Sequence, residues 1–280
     1  MTADLAITRE QIFAHAQTLP AAPQVLGGLC ELLEDVNTGL DQIAEAIRMD
    51  PALAVRVVRI SNSVVFGGGG NVCSIDEAVT RMGFAEILRV VGVATVAGLV
   101  DRSLQVYGVE AERLRESLLL HALASEALAR RAALDPRTAY TAGLLRGVGM
   151  MVIDRAARGK LEPTDNFDPG SFSTYEAWEL LRFGITGTEV AATLLDGWRF
   201  PPEMVTAIER HHAPSDDPLA NVLNLAGSIV AERSLALAGE EVCWAFSTDR
   251  LGAVGLDSAG WQGVCGQVFH TFEQQRAGLY

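Results

Sequence analysis

Apolar residues recur along the chain at the three- and four-residue spacing of helices that bury one side. Such steps occur in several segments, for example at Val25, Leu29 and Leu32, and again at Leu114, Leu118 and His121. No stretch shows the strict alternation of a half-buried strand, and no internal repeat is visible. The pattern therefore predicts an all-α protein.

Capping residues mark where several of these helices begin and end. Asp50 directly precedes Pro51, a pair typical of a helix N-terminus. Ser74 is followed three residues later by a glutamate, which predicts a capping box, and Gly83 should end that helix. A long apolar helix is predicted over residues 84–106. We place an approximate boundary between two subdomains after it, at Tyr107-Gly108.

Composition narrows the class of protein. The 280 residues are 49% hydrophobic, which excludes intrinsic disorder, and they fit one large domain or two modest ones. The formal net charge of −13 disfavours a general binder of nucleic acid or anionic membranes. The longest apolar stretch, Val90–Val100, is too short to span a bilayer, and the N-terminus lacks the pattern of a signal peptide. We therefore expect a cytoplasmic protein with no membrane span.

Motifs that carry chemistry are few. The glycine-rich segment Phe66–Asn71 follows a helix and has no lysine nearby, so it predicts an interhelical loop rather than a phosphate cradle. His211 and His212 end a predicted helix, where adjacent side chains point about 100° apart, so both rings cannot easily bind one metal ion. On the residue alone, His121 is more typical of a core position than of a ligand.

A combination of segments carries a family resemblance. The block from Asp50 to Ser63, DPALAVRVVRISNS, is followed by Phe66-Gly67, Ser74-Ile75 and Met82-Gly83. Over roughly residues 19–235 the chain resembles the HDOD domain, the HD-related output domain of bacterial signalling proteins. The resemblance implies an N-terminal helical bundle, here residues 1–107, packed on a degenerate HD-like helical domain, residues 108–280. Within the block, Asp50 and Asn62 can satisfy the two ends of one helix, which is a structural role.

The resemblance also implies that the metal site of the ancestral HD phosphohydrolases is lost. His121 matches the first metal-binding histidine, and His211-His212 survive. The signature His-Asp pair is replaced by Arg146-Gly147, and a permanent positive charge there opposes a metal ion. Two further ligand positions are also replaced: Gly187 stands where a histidine is usual, and Ala226-Gly227 where an aspartate is usual. We therefore expect no metal, no cofactor and no enzyme activity.

The leading hypothesis is a non-catalytic regulatory module that binds a protein partner of a bacterial signalling pathway. The alternative is a sensor that binds an anionic small molecule, such as a nucleotide, in the vestigial pocket beside His121, Arg146 and His211. Against that alternative, Arg146 can simply pair with a nearby acidic side chain. Two further hypotheses, a residual phosphohydrolase and a nucleic-acid binder, are disfavoured.

Overall fold

The computed structural model describes residues 8–16, 22–34, 37–62, 72–100, 102–213, 216–244, 246 and 248–276. In these ranges the regular structure is helical, apart from an isolated bridge between Leu104 and Val109, which confirms the all-α prediction. The helices are, in chain order, α1 (Arg9–Ala16), α2 (Ala22–Glu34), α3 (Leu40–Arg48), α4 (Pro51–Ser61), α5 (Ile75–Leu99), α6 (Ala111–Arg131), α7 (Pro136–Leu145), α8 (Val148–Ala157), α9 (Tyr175–Phe183), α10 (Gly187–Gly197), α11 (Pro202–Arg210), α12 (Pro218–Glu232), α13 (Thr248–Ala253) and α14 (Ser258–Gln275). A 3-10 turn lies at Pro163–Asp165.

The described residues form two compact units, one from residues 22–100 with 270–276 and the other from 8–16 with 102–269. The boundary therefore differs from the predicted division into 1–107 and 108–280. Helix α1 packs on α8 and belongs with the second unit. The segment before residue 108 also belongs there, because the Val106 N–H donates to Asp154 Oδ1 and the Tyr107 hydroxyl donates to Glu179.

In the first unit, α5 packs against α2, α3 and α4. Asp50 caps α4 as predicted, since its carboxylate accepts from the N–H groups of Ala52 and Leu53. Asn62 closes the other end of α4 by donating to the Val58 carbonyl at 3.1 Å. The same side chain also pairs with both backbone groups of Val72. These contacts confirm the structural roles expected for the ends of the Asp50 block.

Helix α5 matches the sequence expectation at Gly83 and departs from it at its C-terminal end. The backbone of Gly83 is non-helical, at φ 72° and ψ 178°, so the segment that begins at Ile75 ends at this kink as predicted and a second helical segment follows. The second part ends at Leu99 and not at residue 106, because a tight turn closed between Leu104 and Val109 follows. The glycine-rich segment Phe66–Asn71 lies outside the described residues.

The second unit is built around the packing of α6 against α7, with α12 covering α6. Gly143 permits the close approach of α6 and α7, because a Cβ there would lie 2.7 Å from the Ala122 Cα. Helix α10 packs on α8 and α11 in the same unit. Across the described ranges, no helix combines the length and apolar character needed to cross a bilayer.

Candidate functional site

The structure brings the three predicted site residues together in the core of the second unit. His121 lies on α6, Arg146 follows α7 and His211 follows α11, and all three are buried. The rings of His121 and His211 are perpendicular, with centroids 6.4 Å apart. Trp244 contacts both, with its ring centroid 5.5 Å from His121 and 5.8 Å from His211. The Arg146 Cζ lies 5.4 Å from the same indole.

A buried acidic side chain neutralises the positive charge of Arg146. Arg146 Nη1 lies 2.5 Å from Glu240 Oε1, and Nη2 lies 3.3 Å from Oε2, so the pair is bidentate. Nη2 also donates to Ser117 Oγ, and the Tyr175 hydroxyl donates to Glu240 Oε1 at 2.8 Å. Burial, the largest single influence, raises the pKa of Glu240, but the charges of Arg146 and His212 and the hydrogen bonds from Arg146 and Tyr175 together leave this pKa lowered. The guanidinium therefore sits in a closed ion pair.

The indole of Trp244 covers Gly227 of α12. A Cβ at Gly227 would collide with this ring, so α12 accepts the indole only because residue 227 has no side chain. Asn224 fixes the neighbouring loop by donating to the carbonyls of His211 at 2.7 Å and Cys243 at 2.9 Å. The space beside residue 227 is thus filled by an aromatic side chain.

Two further glycines, Gly187 and Gly147, are closely covered by other side chains. The Gly187 N–H donates to Glu179 Oε2 at 2.6 Å, and a Cβ at Gly187 would lie 3.0 Å from Glu179 Oε1. A Cβ at Gly147 would lie 3.1 Å from a methyl group of Leu118. Burial raises the pKa of Glu179 to about 8, although its hydrogen bonds with Tyr107 and Gly187 act in the opposite direction. Its carboxyl is therefore mainly protonated at neutral pH.

Both histidines of the cluster are held in the neutral form. Burial, followed by the positive charge of Arg146, brings the pKa of His121 well below 6.5. Burial and the neighbouring His212 do the same for the pKa of His211. His211 Nδ1 lies 2.7 Å from the Ile208 carbonyl and must donate to it, which leaves Nε2 as an acceptor. In the described part of the chain, neither ring nitrogen of His121 meets hydrogen-bond geometry with a partner.

These residues do not fit a metal centre. A catalytic zinc ion takes three protein ligands and leaves one position open, and magnesium or manganese takes carboxylate oxygens. Within the described ranges no group of three His, Cys, Asp or Glu side chains is arranged to hold a metal ion. Glu240 lies nearby, but both of its oxygens are engaged by Arg146.

A surface cavity of about 220 Å³ lies elsewhere in the second unit. Its lining comes from the starts of α7, α11 and α12 and includes Asp135, Glu203 and Asp217. None of the three predicted site residues lines it. The buried cluster and this cavity are therefore separate features.

Sequence reasoning missed Glu240, Trp244 and Glu179. Glu240 is 94 residues from its partner Arg146, and no motif or spacing marks it as an arginine partner. Gly227 was the one available signal for Trp244, because a glycine inside a helix indicates that something packs closely against it. Glu179 lies on the buried side of α9, where a lone carboxyl is unusual, and that position could have drawn attention to it.

Comparison with known proteins identifies the family of this chain. The sequence model described as HDOD domain matches residues 19–214, more than half of the chain. It stops short of residue 235, the limit suggested by the motifs, so Glu240 and Trp244 lie beyond the match. No curated protein matches the chain.

Solved structures share the fold. A protein of Shewanella amazonensis, provisionally described as a phosphohydrolase, is 22% identical with a TM-score of 0.68, and the match covers 96% of this chain and 98% of that one. An HDOD domain protein of unknown function from Geobacter sulfurreducens is 20% identical with a TM-score of 0.66, over 96% and 97%. A protein of Marinobacter aquaeolei, provisionally described as a signal transduction protein, is 21% identical with a TM-score of 0.71, over 97% and 64%. At these identities the likeness concerns the fold alone.

Proposed function

The chain belongs to the HDOD domain family, and from this premise we propose that it is a non-catalytic signalling module that acts by binding a protein partner. The structural relative from Marinobacter aquaeolei, provisionally described as a signal transduction protein, supports the signalling part of the proposal. The filled metal site supports the non-catalytic part.

The observation that carries the proposal is the closed ion pair of Arg146 with Glu240. In an HD phosphohydrolase this region must hold a metal ion that activates water against a phosphate ester. Here a guanidinium stands in that region, and its countercharge is a carboxylate of the same chain at 2.5 Å. Both side chains are almost fully buried, so neither water nor a phosphate ester has access to them.

The same pair counts against the alternative of an anion sensor. A nucleotide phosphate at Arg146 would have to displace Glu240, whose carboxylate also accepts from Tyr175. The displaced carboxylate would remain in a buried site without its counter-ion, which is costly. No contact among the described residues favours this alternative over the binding of a protein partner.

Turnover assays test the non-catalytic part. Purified protein is mixed with bis(p-nitrophenyl) phosphate and with p-nitrophenyl phosphate, in the presence of Mn²⁺, Mg²⁺ or Zn²⁺. We expect no release of nitrophenol beyond that of heat-denatured protein. Metal-stimulated turnover that disappears in His121→Ala would overturn the proposal, because a contaminating enzyme would not respond to that substitution.

Recovery of a partner tests the binding part. A chromosomally tagged copy is purified from the native cells under several growth conditions, and co-purifying proteins are quantified against an untagged strain. We expect at least one protein that binds the purified chain again when both are isolated. Failure to find such a protein under any condition would count against a role through protein contacts.

A further inference from the structure

The outer face of α4 is unusually apolar for an exposed surface. Leu53, Val57 and Ile60 point into the core of the first unit, while Ala52, Val55 and Arg59 lie on the opposite, exposed side. Val55 is 70% exposed and Met49, just before the helix, is 77% exposed. These are the two most exposed large hydrophobic side chains in the described part of the chain. We name Met49, Ala52, Val55, Arg56 and Arg59 the α4 face.

The charge of the α4 face is opposite to that of the whole chain. Helix α4 carries Arg56 and Arg59 and has no acidic residue of its own. The nearest carboxylate in sequence, that of Asp50, is buried and turned inward to cap the helix. The whole chain, these two arginines included, has a formal net charge of −13. A partner that is attracted here is therefore recognised by the local charge and not by the overall charge.

Arg56 packs against helix α5. Its guanidinium lies over Gly98, where a Cβ would stand 2.5 Å from Nη1, so in this position it contacts a helix surface without a side chain. Among the described residues, no carboxylate forms an ion pair with Arg56. The guanidinium is thus positioned by packing, with its donors left for an external acceptor.

We propose that the α4 face docks an acidic amphipathic helix of the partner protein, whose apolar side chains cover Met49 and Val55 and whose carboxylates pair with Arg56. The inference rests on the proposed function and names where the partner binds and what chemistry it presents. Helix docking buries apolar side chains that are three or four residues apart, and Met49, Ala52 and Val55 are three residues apart. Phosphate backbones would meet too few arginines here and a strongly negative molecule around them.

Site-specific photo-crosslinking tests the docking surface in the native cells. A p-benzoylphenylalanine is placed at Val55 of the full chain, and a control is placed at Val242, which is 64% exposed in the second unit. The crosslinked peptides are identified by mass spectrometry. We expect a protein adduct at Val55 and not at Val242, with the crosslink in an acidic, helix-forming segment of the partner.

Charge reversal then separates docking from chance proximity. Adduct yield at Val55 should fall by about tenfold or more in Arg56→Glu, with an unchanged far-ultraviolet spectrum and melting temperature. If that variant is misfolded, Met49→Ser tests the apolar half alone. Changing the glutamates and aspartates of the identified segment to lysine should restore the adduct with the charge-reversed variant.

Several results would overturn the inference. Adducts at Val55 only with a second copy of this chain would make the face an oligomer contact, and adducts with nucleic acid or lipid would replace the partner class. A specific protein adduct at Val242 without one at Val55 would overturn the α4 face while leaving the proposed function standing. Absence of protein adducts at both positions, together with failure to recover a partner, would count against both.

Discussion

Replacing Arg146 with methionine isolates the ion pair on which the account depends. The substitution removes the guanidinium while keeping much of the length of the side chain. It leaves the Glu240 carboxylate buried, still accepting from Tyr175 but without a counter-ion. Removing one partner of a buried ion pair lowers the free energy of unfolding by about 3–5 kcal/mol. This is a large share of the roughly 5–15 kcal/mol that stabilises a folded domain.

A second, exposed pair provides the control. Arg130 Nη2 and Glu126 Oε1 are also 2.5 Å apart, but the arginine side chain is 57% exposed. Arg130→Met should therefore cost at most about 1 kcal/mol. Arg146→Met/Glu240→Gln removes both charges and keeps an acceptor for Tyr175, so it should be more stable than Arg146→Met alone.

The loss should depend on pH in a defined direction. Burial raises the pKa of Glu240 and Arg146 lowers it, so without Arg146 the pKa should rise. The folded variant would then hold a proton that the unfolded chain has released, and its stability would fall as pH rises. The deficit of Arg146→Met against the unchanged protein should therefore be larger at pH 8 than at pH 5.

Urea unfolding followed by circular dichroism measures these free energies at each pH. The reasoning is refuted if Arg146→Met loses no more stability than Arg130→Met. It is also refuted if the double variant is no more stable than Arg146→Met, because the cost would then not arise from a stranded charge.

Three further predictions concern the same core. The pKa of Glu179 in the folded protein is about 8, so the folded chain keeps a proton that the unfolded chain has released. The free energy of unfolding should therefore fall by about 1.4 kcal/mol per pH unit from pH 6.5 toward 8. In urea titrations, Glu179→Gln should flatten that slope. Folding lowers the pKa values of His121 and His211, so the free energy of unfolding should decrease as the pH drops below 6.5. An unchanged urea midpoint between pH 6.5 and pH 5 would contradict this expectation. Gly227→Ala should cost about 1–3 kcal/mol by pressing on Trp244, and thermal melts of Gly227→Ala made in a Trp244→Leu background should show a smaller loss.

The sequence predicted the helical class and the ends of α4 well, because caps and spacings act between neighbouring residues. Asp50 and Asn62 each satisfy the helix end beside them, and such contacts leave a local signature. The extent of α5 was predicted less well, since its end depends on where the following turn packs. The two units of the structure divide at a different place from the predicted boundary at residue 107, because Tyr107 is anchored by Glu179, 72 residues away.

For the site, the family resemblance indicated where the ligand positions of an HD enzyme would fall in this chain, but it gave no indication of the side chains that pack around them. His121, Arg146 and His211 could be grouped through the family motifs, and the structure places them in one buried cluster. The partner Glu240 and the covering Trp244 come from a segment without a motif. Whether Arg146 faced an anionic ligand or an internal carboxylate depended on that segment, so the sequence left both alternatives open.

The metal content of freshly purified, untagged protein tests the central claim most directly. Inductively coupled plasma mass spectrometry would be applied to protein prepared without chelators and dialysed against metal-free buffer. The closed Arg146–Glu240 pair and the covered glycines predict far less than one transition-metal or manganese ion per chain. One or two tightly held ions per chain, lost in His121→Ala, would show that the site had been rebuilt around a metal and would contradict the account.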